Sequence, residues 1–159
     1  MKYKVAIASD FSGFELKEAV RKHLLAEGHD VQDVGQKTAA EQVLYFDASA
    51  ALAKTVQSRS ADRGIVICGT GAGVSLIANK FKGVYCVACE SMFTAQRTSL
   101  INNANVLAMG QKVVTAEMAC EMASAWLKGV WCDGFEQQRR LNNERGFAAL
   151  QEIETENFK

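Results

Sequence analysis

Proline is missing altogether from this chain of 159 residues, where average usage near 5% would supply roughly 8. Glycine and asparagine must therefore make its turns. Histidine is scarce as well: His23 falls inside the first predicted helix and His29 at its exit, away from the strand ends where α/β proteins gather their sites. Histidine catalysis is not expected. Charge of either sign is balanced at 18 basic and 18 acidic residues, with no long like-charged run, so neither nucleic acid nor a membrane surface is expected as a partner. No apolar run approaches the roughly 18 residues of a membrane span, and no basic-then-apolar leader is visible, so a cytoplasmic protein is expected. The five cysteines are scattered at 68, 86, 89, 120 and 132, an odd set without a disulfide rhythm, as in a reducing compartment. Cys86 and Cys89 have the spacing of a redox or zinc pair, but in a strand-like run residues three apart point to opposite faces. A zinc or redox role for that pair is not expected.

What is present is a chain with 48% hydrophobic and 23% charged residues, enough for one domain spanning 1–159. Apolar runs of strand length fall at Lys4–Ala8, Val31–Val34, Gly64–Cys68, Val84–Cys89 and Val106–Met109. Helical spacing falls at Gly13–Ala26, Asp47–Ser58, Gly73–Lys80, Ser91–Leu100 and Ala116–Lys128, with a polar helical arm over 135–155. Residues 36–44 read as a loop. Strands alternating with helices predict right-handed βαβ units and an α/β fold with a doubly wound, five-stranded parallel sheet. Ligands of such sheets sit beyond the carboxyl ends of the strands, near the point where strand order reverses. That locus collects Ser9, Asp10, Cys68–Gly73, Glu90, Ser91 and Gly110–Lys112.

The segment Gly64-Ile65-Val66-Ile67-Cys68-Gly69-Thr70-Gly71-Ala72-Gly73 is the best candidate for chemistry. A β-branched strand ends at a cysteine, turns through three glycines and opens a helix. Glycines let main-chain N–H groups approach a ligand closely, and a helix N-terminus favours an anion. Such a terminus also favours the thiolate of a cysteine beside it, so Cys68 is the candidate base or nucleophile. The alternative is a small buried hydrophobe, the usual role of a free cysteine. Gly69 to Gly73 also partly matches a dinucleotide-binding fingerprint, with Glu90 about 20 residues on. That motif lacks the final glycine spacing and belongs here to the third strand. No glycine-lysine-serine/threonine ending follows, as a triphosphatase would need.

These residues, with Ala8-Ser9-Asp10-Phe11-Ser12-Gly13-Phe14-Glu15-Leu16-Lys17, Ala78-Asn79-Lys80, Asn102-Asn103-Ala104-Asn105-Val106-Leu107-Ala108-Met109-Gly110 and Gln137-Gln138-Arg139, resemble the type B ribose-5-phosphate isomerase and galactose-6-phosphate isomerase family over roughly residues 3–145. The resemblance implies a Rossmann-like α/β/α sandwich and a homodimer, or dimer of dimers, with two shared sites. It implies aldose–ketose interconversion of a sugar phosphate without metal or cofactor. Cys68 would move a proton between C1 and C2, with Thr70 holding the reacting region. The amides of Gly69, Gly71, Ala72 and Gly73 would stabilise the enediolate. Asp10 would meet sugar hydroxyls, and Phe11 and Tyr45 would line the pocket. Asn102 and Arg139 would reach in from a second subunit, and Arg139 with Lys112 would meet the phosphate.

Four departures accompany the resemblance. Phe11 and Ile101 stand where the family commonly has histidines, the second of which is credited with opening a furanose ring. Tyr45-Phe46-Asp47 replaces Tyr-Pro-Asp, and Phe135 replaces an arginine. The resulting pocket should be smaller or more apolar. It implies a substrate other than ribose 5-phosphate, such as a tetrulose phosphate or another short or modified keto sugar that does not cyclise in the same way. The other reading open to the sequence is a catalytically silent sugar-phosphate-binding subunit.

Overall fold

In the computed structural model, which describes residues 1–158, five strands form one parallel sheet in the order β2-β1-β3-β5-β4. The strands are β1 (Lys4–Ser9), β2 (Asp30–Asp33), β3 (Arg63–Cys68), β4 (Cys86–Ala88) and β5 (Val106–Gly110). The helices are α1 (Phe14–Ala26), α2 (Tyr45–Gln57), α3 (Ala72–Ala78), α4 (Met92–Asn102), α5 (Ala116–Lys128) and α6 (Gln137–Asn157), and a 3₁₀ turn at Phe11–Gly13 joins β1 to α1. The chain leaves β1 for β2 on one side and returns to β3 on the other. Strand order therefore reverses between β1 and β3, the place where doubly wound sheets bind ligands.

Alternation along the strands feeds two cores. Val5, Ile7, Ile65, Ile67, Leu107 and Met109 face α1, α4 and α5. Ala6, Ala8, Val66, Cys68, Val106 and Ala108 face α2 and α3. Leu16, Val20 and Leu24 recur at a spacing of four on α1 and are all buried, the stripe that seats a helix on a sheet. Each such side chain contributes roughly 1.5–3 kcal/mol of apolar transfer. The central strands are buried on both faces, as the run Gly64–Cys68 requires. Cys86 and Cys89 sit in the two different cores, and burial pushes both thiols up toward the neutral form.

Most differences from the sequence-based expectation are at element ends. β4 is shorter than Val84–Cys89 because neighbouring amides have other partners. Val84 N–H donates to Phe81 O at 3.0 Å and Tyr85 N–H to Asn105 Oδ1 at 2.7 Å. α2 begins at Tyr45 rather than Asp47; Leu44 precedes it in extended conformation, without a capping side chain to advertise the start. α3 begins one residue earlier than Gly73, and α6 runs Gln137–Asn157 rather than 135–155. No residue of α6 is buried. It lies along the amino edge of the sheet, where Phe147 packs on Tyr85 and Trp131. The Glu154 carboxylate accepts from Gly83 N–H and Tyr85 O–H at 2.7 and 3.1 Å.

Candidate active site

β3 delivers Cys68 to the carboxyl edge beside the reversal point, and the glycine turn then folds back over the thiol. Cys68 is 5% exposed. Its Sγ accepts the Gly71 N–H at 3.1 Å, a main-chain donor aimed at the sulfur from the residue that opens α3. Gly71 has φ +80, and a Cβ there would come within 3.0 Å of the Met109 main chain. Only glycine holds that bend without strain. Gly110, paired with Cys68 across the ladder, is more constrained: a Cβ would lie 2.5 Å from the Thr70 carbonyl carbon. The turn after β5 locks onto the same loop through Gln111 N–H to Cys68 O at 2.9 Å and Lys112 N–H to Gly69 O at 3.0 Å.

Asp10 leaves β1 at the neighbouring position and caps the 3₁₀ turn. Its carboxylate accepts Gly13 N–H at 3.0 Å and Ser12 O–H at 2.8 Å. An ionised carboxylate offers about four acceptor positions, so capacity for a ligand remains. Ser12 received no role in the sequence reading. Its Oγ lies 3.3 Å from where a side chain on Gly69 would begin, so it bridges Asp10 to the glycine loop. Position alone, two residues after a strand-end aspartate, was the available signal. The Tyr45 ring covers Gly73, where an added Cβ would sit 3.0 Å from it. Ser49 O–H donates to Val74 O at 2.6 Å and ties α2 to α3 beneath that ring. Thr70 is exposed, with Oγ1 accepting Ala72 N–H at 3.4 Å. Phe11, Leu44, Tyr45, Phe46 and Phe93 are each at least 42% exposed, an apolar rim beside the candidate site.

Two candidates lie elsewhere in the chain. α4 runs back from the carboxyl edge and ends at the amino edge, where Asn103 adopts the left-handed conformation with φ 54. Asn102 is its last helical residue. Cys132 N–H donates to Leu100 O at 2.9 Å and Trp131 Nε1–H to Ile101 O at 3.2 Å, which holds the approach to α6, and so Arg139, at the same edge. One copy thus collects Asp10, Phe11, Tyr45, Cys68–Gly73 and Lys112 at the carboxyl edge and leaves Asn102 and Arg139 at the opposite one. A cleft of about 820 Å³ also opens at the amino edge, among Lys2, Arg63, Lys82 and Glu154, away from Cys68. Among the described residues no group of three or more His, Cys, Asp or Glu is arranged to hold a metal ion, and no helix is long and apolar enough to cross a membrane.

A thiol that accepts a main-chain N–H at the switch point of a parallel α/β sheet marks a Rossmann-like candidate enzyme. The model of the family described as Ribose/Galactose Isomerase matches residues 5–143, and the chain belongs to that family. Among its relatives, 4-deoxy-4-sulfo-D-erythrose isomerase of Clostridium sp. (strain MSTE9) is 39% identical, the match covering 86% of each chain. D-erythrulose-4-phosphate isomerase 2 of Mycolicibacterium smegmatis is 41% identical, over 80% of this chain and 85% of the relative. The structure of ribose-5-phosphate isomerase B of Clostridium thermocellum superposes with a TM-score of 0.87 at 35% identity, covering 96% of this chain and 98% of the other. The protein is an aldose–ketose sugar isomerase.

Proposed function

We propose that the chain, as a single domain over residues 1–159, isomerises a four-carbon sugar carrying a terminal oxyanion, with Cys68 as the base. The Cys68 thiolate takes the proton from the carbon beside the carbonyl. The electrons of that C–H bond form the C1–C2 double bond, and charge collects on the carbonyl oxygen as an enediolate. The thiol then returns the proton to the neighbouring carbon, while a hydroxyl proton passes between the two oxygens beside Thr70. No electrons leave or enter, so the step needs no redox cofactor. The amides of Gly69, Ala72 and Gly73 stabilise the enediolate, while that of Gly71, bonded to Cys68 Sγ, steadies the thiolate. A placed base contributes about 10²–10⁴-fold and an oxyanion donor about 10²–10³-fold. Asp10 meets the sugar hydroxyls, Phe11 and Tyr45 wall the pocket, and Lys112 faces the terminal anion.

The single observation that carries this reading is the Gly71 N–H bonded to Cys68 Sγ at 3.1 Å at the strand-reversal point. The four-carbon assignment is supported by relatives named for sulfo-erythrose and erythrulose phosphate. The presence of Phe11 and Ile101 at positions where a ring-opening site would need polar groups also supports it. Because Asn102 and Arg139 occupy the edge opposite Cys68, each site draws them from a second copy, which packs on the apolar rim. The homodimer, or a pair of such dimers, works in the cytoplasm, where five free thiols stay reduced, and binds neither nucleic acid nor membrane. Steady-state isomerisation of tetrose, pentose and hexose phosphates and of 4-deoxy-4-sulfo-D-erythrose tests it, with solvent deuterium in the product as the mark of the enediolate. Ribose 5-phosphate emerging as the best substrate would overturn the four-carbon reading. Unimpaired turnover by Cys68→Ala would overturn the mechanism.

A further inference from the structure

We propose that Phe135 is a positioning residue that holds the Arg139 guanidinium ready for the substrate's terminal tetrahedral oxyanion; this rests on the reading above that Arg139 meets that group. The guanidinium carbon lies 3.9 Å from the centroid of the Phe135 ring, a direct face contact of a cation on an aromatic ring. The guanidinium carbon sits over the ring, and no hydrogen bond or ion pair to a carboxylate among the described residues occupies the Arg139 N–H groups. A guanidinium presents a fork matched to two oxygens of a phosphate or sulfonate.

The main chain that carries the ring is held in a turn. Phe135 N–H donates to Cys132 O at 3.3 Å and Asp133 N–H to Val130 O at 3.1 Å, closing a turn whose Cys132 and Gly134 both have positive φ. Cys132 N–H is bonded in turn to Leu100 O on α4, and the thiol of Cys132 receives Asn143 Nδ2–H at 3.7 Å. A continuous set of contacts therefore runs from the end of α4, which carries Asn102, through the turn to the aromatic ring and the guanidinium. An arginine on a solvated helix would otherwise spread over many rotamers and lose that freedom on binding. Stacking removes part of the loss in advance. A side chain that supplies no charge thus readies Arg139 to join Lys112 on the anion.

The test is a double-mutant cycle on Phe135 and Arg139, with D-erythrulose 4-phosphate and 4-deoxy-4-sulfo-D-erythrose as the phosphate and sulfonate arms. Phe135→Ala should raise KM about 3- to 30-fold while leaving kcat within about twofold, the pattern of lost uniform binding. Phe135→Tyr and Phe135→Trp, which keep a ring face, should restore KM. In an Arg139→Ala background, Phe135→Ala should add no further loss. Independent, multiplying effects would overturn the proposal, as would a fall in kcat with unchanged KM or a failure of the aromatic variants to rescue. If the wild type turns over neither sugar, the four-carbon reading fails by itself. The same cycle is then read by calorimetry with inorganic phosphate, where coupled losses support the proposal and independent losses overturn it.

Discussion

At the carboxyl edge of the sheet, main chain rests on main chain: Gly110 meets the Thr70 carbonyl, Gly71 bends under Met109, and an amide rather than a side chain contacts the Cys68 sulfur. At the amino edge, long side chains dominate: Arg139 lies on Phe135, Phe147 fits between Tyr85 and Trp131, and Glu154 bridges α6 to the start of β4. The roomier cleft belongs to the amino edge, yet the group suited to moving a proton belongs to the other. On the proposed function, the difference separates two tasks. A rigid backbone nest suits charge that develops in a transition state, where any reorganisation costs rate. Long cationic side chains suit a remote anion whose distance varies with the sugar.

The sharpest way to break this comparison is at Cys68. Cys68→Ala should lower kcat about 10²–10⁴-fold, with thermal melting showing that the fold survives. A loss at Arg139→Ala of the same size in kcat, rather than mainly in KM, would erase the distinction between the edges. Mixing Cys68→Ala with Arg139→Ala protein under conditions of subunit exchange comes next. If the two edges meet across copies, turnover at substrate far below the KM of Arg139→Ala recovers to about one quarter of wild type, because half the dimers are mixed and each retains one whole site. No recovery would assign both residues to one copy's site or to none.

Smaller effects sharpen the contrast. Gly110→Ala drives a methyl against the Thr70 main chain, which should cost about 1–3 kcal/mol in chemical denaturation and lower kcat through the displaced loop. An alanine at Gly146, where a Cβ meets nothing within 4 Å, should instead stabilise α6 by up to about 1 kcal/mol. The smallest effect is electrostatic. The Arg21 guanidinium hydrogen-bonded to Glu18, with Lys17 also beside it, holds the Glu18 carboxyl down at about 2 from its usual 4.5. A depressed carboxyl stabilises the fold fully above its free value, and that contribution fades as pH falls from about 4.5 toward 2. Glu18→Gln should flatten this part of the acid unfolding curve measured by circular dichroism.

The layer order and chain class were legible because strand runs and helical stripes are local patterns. α5 illustrates this: Thr115 accepts Met118 N–H at 3.2 Å as its cap, Gly129 follows its end, and the helix spans Ala116–Lys128 as the spacing predicts. The insertion of β5 between β3 and β4 was not legible, since it depends on which strand edges pair rather than on any run of residues. Val84 and Tyr85 read as strand from their side chains, but their amides are engaged by Phe81 and Asn105. In the site, glycine spacing exposed the Cys68 loop. The contact of Phe135 with Arg139 was hidden because it joins an aromatic to a charge four positions on across the start of a helix, a spacing that helices fill for many reasons.

The bare contact between Gly110 and Thr70 has a consequence for redesign. With no flexible atom between the two strands of backbone, the loop over the sulfur has almost no room to drift, so altering it trades folding against chemistry. Laboratory selection for a new sugar should therefore accumulate its productive changes at Phe11, Tyr45, Ile101 and Phe135, leaving the segment from 68 to 73 untouched.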